Sequence, residues 1–296
     1  MFQLLLLFIL AHFIADFVIQ SNAMIRMKKT HLHKGLFLHI ITHFILMIGV
    51  ALVFIIFIKR DIGLVIPVGV AIILILILHY LIDWTKEILN KKSGKVVVSA
   101  SLFIFDQFVH IISILFIFQL LGLTAFQYSE MADVILRFLF EGVELSDLSK
   151  LFAICIIIVL ATEGAGYFLG IILRNLGPSQ TLNKNMYSIT DEKTEIKTYY
   201  NEKGEEVNEV TTLRTDQFYR DSPKQIGRYI GMIERVLIMI FIVQGIPHGM
   251  TFLIAVKSLT RFKQFESKAF AEYYLIGSLL SATIGIVLGY AILRII

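Results

Sequence analysis

Residues 4–20 read LLLLFILAHFIADFVIQ. Their length and apolarity are those of a membrane span, which needs about 20 apolar residues as helix. His12 and Asp16 interrupt the run, four residues apart. An aspartate near the centre of a spanning helix costs about 2.5–3.5 kcal/mol on insertion scales. Two ionisable groups on one face of such a helix therefore require partners inside the membrane. The same two groups, with no Lys or Arg ahead of the run, argue against a cleaved signal peptide despite the small residues of Ser21-Asn22-Ala23. The segment reads as a retained helix.

The rest of the chain extends this reading. Of its 296 residues 57% are hydrophobic and only 17% charged, and the mean hydropathy is +0.78. Apolar residues come in long blocks, so most of that surface meets lipid or other helices. The net charge of +4 is small, and no basic stripe with interleaved aromatics appears, which excludes a nucleic-acid binder. Cys155, the one cysteine, cannot form an internal disulfide.

The apolar blocks predict spans at 2–20, 35–58, 64–86, 101–121, 151–173, 228–246, 248–261 and 270–293. The seventh is short enough to be re-entrant. The expected fold is an all-α polytopic membrane protein of about seven or eight transmembrane helices with a small cytoplasmic insert. Residues 1–121 form a four-helix bundle, 122–150 an extracytoplasmic connection, 151–173 the fifth span, 174–227 the insert, and 228–296 the carboxyl-terminal helices. Within the insert, TEIKTYYNEKGEEVNEVTTL (194–213) has two strand-like runs around a Gly-containing turn, which predicts a β-hairpin.

Lys and Arg counts orient these spans. Residues 21–34 hold Arg26, Lys28, Lys29 and Lys34, and 86–100 hold Lys86, Lys91, Lys92 and Lys95. Residues 262–269 add Lys263 and Lys268. By contrast, 59–63 have Lys59 and Arg60, and 122–150 have Arg137 and Lys150 against Glu130, Asp133, Glu141, Glu144 and Asp147. The positive-inside bias places the amino terminus outside a bacterial inner membrane and the first, third and fifth connections in the cytoplasm.

Three more helices repeat the pattern of the first. The second carries His39 and His43 in LHIITHF, the third His79 and Asp83 in LHYLIDW, and the fourth Asp106 and His110 in FDQFVHI. Spacing of four puts each pair on one helix face. Because alternate helices run in opposite directions, all four pairs fall at a similar depth near the cytoplasmic side. Asp16, His39, Asp83 and Asp106 form one layer. His12, His43, His79 and His110 form another, about 6 Å deeper at 1.5 Å per residue.

Ordinary polar contacts between membrane helices contribute roughly 0.6 kcal/mol each. That does not repay burying three aspartates and five histidines in register, so the eight residues are read as a metal site. Imidazole and carboxylate suit zinc first, with manganese and iron as alternatives. Eight groups exceed the needs of one tetrahedral ion. Either two ions bind, or some groups orient the ligands from outside. Asp16, Asp83 and Asp106 are the candidate general bases. Gln20, Lys34 and Lys86 are candidate substrate contacts at the cytoplasmic edge. His31 and His33 read as loop residues, and Glu163 as an ion-pair partner for Arg228 or Arg235.

HFIADFVIQ, the two histidines of the second helix, HYLIDWTK and FDQFVH resemble an uncharacterised bacterial membrane family, the domain-of-unknown-function family 3307. GRYIGMIERVLI (227–238), AVKSLTRF (255–262) and AEYYLIGSLLS (271–281) are similar to it as well. More distantly, the His/Asp helices resemble small inner-membrane proteins labelled metal-dependent hydrolases. The resemblance implies metal more than any one reaction, and no substrate. The expected function is a membrane-embedded metal-dependent hydrolase acting on a lipid-like ester, amide or phosphoester. A metal or proton transporter using the same cluster is the rival, and a di-iron oxidase the third reading.

Overall fold

A computed structural model describes residues 1–296 except 94–95, 125–130, 177–185, 221–225, 263–264 and 266–267. Lys95, Glu130 and Lys263 lie outside the described residues.

Helix α1 (Phe2–Phe13) runs on into a π-helical stretch, Ile14–Ile19, that contains Asp16. Gln20 then turns extended, and Ser21 caps a short helix, α2 (Asn22–Thr30), by accepting from Met24 N at 3.2 Å. Helices α3 (Leu32–Val53), α4 (Val65–Ser93) and α5 (Val96–Leu120) complete the amino-terminal bundle. Helices α6 (Met131–Phe140), α7 (Asp147–Val159) and α8 (Ala165–Ile172) follow, with a π-helical stretch, Leu160–Gly164, joining the last two. After strands β1 (Met186–Tyr200) and β2 (Glu206–Arg220), the chain ends in α9 (Ile226–Val243), α10 (His248–Thr260) and α11 (Lys268–Leu293).

Among the described residues, six helical segments are long and apolar enough to cross a membrane: Phe2–Ile19, Leu32–Lys59, Ile62–Asn90, Val96–Leu120, Asp147–Ile172 and Phe270–Leu293. The protein is thus an all-α membrane protein with a small sheet. Two of the expected spans fall short of that standard. α9 carries Arg228, Glu234 and Arg235 within its 18 residues. α10 has 13 residues, about 20 Å of helix against a hydrocarbon core of about 30 Å. The first connection is not a plain loop either, because it folds as α2. The connection 122–150 contains α6.

The expected hairpin is present, with β1 and β2 antiparallel and paired from Met186↔Arg220 to Tyr200↔Glu206. Gly204 adopts a positive φ of 76° in its turn, a conformation glycine takes without steric cost. Asn201 Oδ1 accepts from the backbone N–H groups of Lys203 and Glu205.

In the first bundle α1 packs on α3 and α5, and α3 and α4 pack on their successors. The buried apolar core comprises Leu4, Phe8 and Ala11 of α1, Met47 and Ala51 of α3, Val68, Ile72 and Ile75 of α4, and Ile114 and Phe118 of α5. Each of these residues precedes the His/Asp pair of its helix in α1 and α4, and follows it in α3 and α5. The core therefore lies wholly to one side of the polar pairs. A second apolar cluster, with Ile157, Ala161, Met239 and Ile292, holds the carboxyl-terminal helices together.

Candidate metal centre

The four pairs meet. His12, Asp16, His39, His43, His79, Asp83, Asp106 and His110 are all buried, none more than 7% exposed. Helix geometry brings each pair tip to tip. A Cα–Cβ bond leans toward its helix's amino terminus. In α1 and α4 the aspartate therefore leans back to the histidine before it, and in α3 and α5 the second residue leans back to the first. His12 Nε2 is 3.6 Å from Asp16 Oδ2, and His110 Nε2 is 3.3 Å from Asp106 Oδ1. The Cα layers stand a helical turn apart, but the side-chain ends close that gap.

The deeper imidazoles stack into one layer, with ring centroids 4.0 Å apart for His43–His79 and for His79–His110. His12 lies 4.9 Å from His110 and 5.3 Å from His43. On the far side of these rings is the apolar core. On the near side are the carboxylates.

All eight His–Asp contacts in the cluster run through Nε2, none through Nδ1. An aspartate that orients a metal-bound imidazole accepts from the ring nitrogen facing away from the metal. Here the carboxylates face the same nitrogens that all five rings turn inward, so they present their oxygens to a space shared with the imidazole nitrogens. His39 Nε2, His43 Nε2 and Asp16 Oδ1 form a triangle with sides of 3.0, 3.0 and 3.2 Å. Ligands about 2.0–2.1 Å from a tetrahedral zinc stand about 3.3–3.4 Å from one another, so the triangle nearly matches one face of such a site. The donor atoms of His12, Asp16, His43 and His79 also lie within 4.8 Å of one another, as do those of His39, His79 and Asp83 and those of Asp16, Asp106 and His110. The three groups overlap at Asp16 and His79, so they belong to one cluster.

Six buried atoms of its residues make no hydrogen bond among the described residues: His12, His43 and His110 Nδ1 and, among the atoms facing the shared space, His79 Nε2, His110 Nε2 and Asp106 Oδ1. A buried polar atom without a partner costs about 1–3 kcal/mol. A divalent cation would bind the lone pairs that face the shared space and remove that penalty for them. The donor set of nitrogen and oxygen, without thiolate, fits zinc, manganese or iron.

The outer boundary is polar. Gln107 Nε2 donates to Asp16 Oδ2 at 2.9 Å and to Asp106 Oδ2 at 3.0 Å, while its Oε1 is 3.3 Å from His12 Nε2. Gln20 lies 3.2 Å from His39 Nδ1, and its backbone carbonyl accepts from Tyr167 of α8. Lys86 Nζ donates to Asp106 Oδ2 at 2.7 Å and lies 3.5 Å from Asp83 Oδ1. Gln20 and Lys86 thus border the cluster. Lys34 does not: it is exposed in the first turn of α3. Five residues separate it from His39, which puts it about 140° around the helix from the site face.

Lys28 takes the place that Lys34 was expected to hold. Its Nζ donates to Asp83 Oδ2 at 2.7 Å, and the residue is only 5% exposed. It comes from α2, which crosses α3 at Gly35. A Cβ on Gly35 would stand 2.4 Å from Lys28 N and 2.7 Å from Lys28 Cα. Only glycine permits that approach. Gly35, His39, His43 and Met47 share one face of α3 at intervals of four, so the sequence did carry a signal: a glycine in line with the site.

The other expectations fall outside the cluster. His33 Nδ1 meets the Tyr80 hydroxyl at 2.7 Å, away from the carboxylates. Glu163 pairs with Arg228, and Glu234 with Lys257. Arg235 is buried and donates to the carbonyls of Ala161 and Thr162, which the π-helical stretch between α7 and α8 leaves available, and to Ser281 Oγ.

No curated protein and no solved structure matches the chain. The model of a family described as Protein of unknown function (DUF3307) matches residues 4–138, a segment that holds all four His/Asp helices and α2. Over residues 4–138 the chain is therefore similar to the DUF3307 family.

Proposed function

We propose that the protein is a membrane-embedded metal-dependent hydrolase whose site opens toward the cytoplasmic leaflet of a bacterial inner membrane. The observation that carries this reading is the convergence of five Nε2 atoms and three carboxylates on one buried space. A divalent ion bound there, zinc first and manganese or iron as alternatives, supplies a water of lowered pKa and polarises the bond to be cleaved.

The chain's own residues would do the rest. Asp106, whose Oδ1 has no hydrogen-bond partner, is the best placed of the three aspartates to take a proton from the attacking water. Gln107 fixes Asp106 and Asp16 relative to each other. Lys28 and Lys86 stand at the outer edge and offer positive charge to an anionic substrate group. Among lipid-like esters, amides and phosphoesters, those two ammonium groups favour the phosphoester. The surrounding helices favour an amphiphile, whose apolar part remains in lipid. The cytoplasmic side is supported by the positive-inside bias of Arg26, Lys28, Lys29, Lys34 and Lys86, which lie at the site's end of the bundle.

A transporter needs access to its site from both sides of the membrane. Here the deeper side of the cluster rests on a buried core of Phe8, Met47, Ile75 and Ile114, with no ionisable residue among them. That seal favours the enzyme. The test is hydrolysis of lipid-like ester, amide and phosphoester substrates by purified protein, metal-free and then reloaded. Cleavage that needs the metal and falls by orders of magnitude in Asp106→Asn supports the proposal. Metal-dependent ion flux in proteoliposomes, without cleavage of any substrate class, would favour the transporter.

A further inference from the structure

Asp16 and Asp83 each divide their two oxygens between different histidines. Asp16 Oδ1 lies 3.0 Å from His39 Nε2, 3.0 Å from His43 Nε2 and 3.9 Å from His79 Nε2. Asp16 Oδ2 instead lies 3.6 Å from His12 Nε2. Asp83 repeats the division. Its Oδ2 is 3.5 Å from His39 Nε2 and 4.0 Å from His79 Nε2, whereas its Oδ1 is 3.6 Å from His110 Nε2.

By their contacts within 4.0 Å of the Asp16 and Asp83 oxygens, the histidines sort into two groups. His39, His43 and His79, from α3 and α4, surround Asp16 Oδ1 and Asp83 Oδ2. His12 and His110, from α1 and α5, face the opposite oxygens, and Asp106 Oδ1 stands 3.3 Å from His110 Nε2. An imidazole nitrogen has one lone pair and can bind one ion. A carboxylate has two oxygens and can bind two. Two carboxylates set between two groups of imidazoles therefore have the geometry of a bridge.

Building on the reading of this cluster as a metal centre, we infer that it is binuclear, with Asp16 and Asp83 each bridging two divalent cations. The first position takes His39, His43 and His79. The second takes His12 and His110, bordered by Asp106. Each position then has two carboxylate oxygens and two or three imidazoles, a coordination suited to zinc, manganese or iron. The shared carboxylates also offset the repulsion between neighbouring cations.

The lysines agree with this division. Lys28 Nζ stands 2.7 Å from Asp83 Oδ2, an oxygen of the first position. Lys86 Nζ stands 3.5 Å from Asp83 Oδ1, an oxygen of the second. One ammonium group thus attends each oxygen of Asp83.

The experiment is elemental analysis and electron paramagnetic resonance of the full chain, stripped of metal and reloaded with Mn²⁺. Two manganese ions per chain and an exchange-coupled spectrum are expected. His43→Ala and His110→Ala should each retain one ion, with the spectrum of isolated Mn²⁺. One ion per chain in the wild type, or two with uncoupled spectra, overturns the binuclear assignment while leaving a metal centre in place. No bound metal at all overturns the metal reading itself. The wild-type result decides between these outcomes even if a variant fails to fold.

Discussion

Lys28 Nζ stands 2.7 Å from Asp83 Oδ2, with both side chains shielded from solvent, although the residues are 55 positions apart in the chain. Removing one member of a buried ion pair strands the other and costs about 3–5 kcal/mol. Lys28→Met should therefore destabilise the metal-free protein by about that amount. Bound metal supplies the missing positive charge, so the loss should shrink on loading. Thermal unfolding in detergent, with and without Zn²⁺, reads both effects. Equal destabilisation in the two states would separate Lys28 from the metal centre.

Gly35→Ala tests the crossing that delivers Lys28. The new methyl would collide with the backbone of Lys28 and Met27, which cannot move aside as a side-chain end could. Overpacking of this kind costs about 1–3 kcal/mol. Amides of α2 should exchange with solvent faster in the variant, while those of α4 and α5 keep their wild-type protection. Unchanged exchange in α2 would contradict the close packing.

Arg235→Met serves as the counterpart away from the cluster. It leaves the carbonyls of Ala161 and Thr162 without their donor, at about 1–3 kcal/mol for each buried group. Stability should fall while the metal per chain stays at the wild-type value. A parallel loss of metal would show that the carboxyl-terminal helices shape the site.

Sidedness is testable with single cysteines in a Cys155→Ala background. A cysteine at Ser188 in β1 should react with an impermeant thiol reagent only after cells are opened. One at Ser129, which lies outside the described residues, should react in intact cells. Labelling of Ser188 from outside would place the site at the opposite leaflet.

The four pairs were legible in the sequence because their order depends only on helical periodicity and on alternating helix direction. Spacing of four places His79 with Asp83, or Asp106 with His110, on one face whatever the rest of the fold does. Lys28 was not legible in this way. Its contact depends on how closely two helices approach, and that distance is set by the absence of a side chain at Gly35. Gln107 posed a similar problem. Its neighbour Asp106 marked the site, but adjacent residues on a helix point about 100° apart, and only the meeting of α1 with α5 brings the Gln107 amide to Asp16. The span count was less legible still. α9 has a span's length but carries charges that pair with neighbouring helices, as Glu234 does with Lys257.

Metal content tests the central claim most directly. Protein purified without chelator, and again after stripping and reloading, should contain at least one divalent ion per chain. Asp16→Asn and Asp83→Asn remove carboxylate charge shared among all five imidazoles and should lose most of that metal. Protons compete for the imidazole lone pairs, so affinity should also fall as the pH is lowered. A folded wild-type protein that holds no metal, and takes up none when offered zinc, manganese or ferrous iron, would contradict the account.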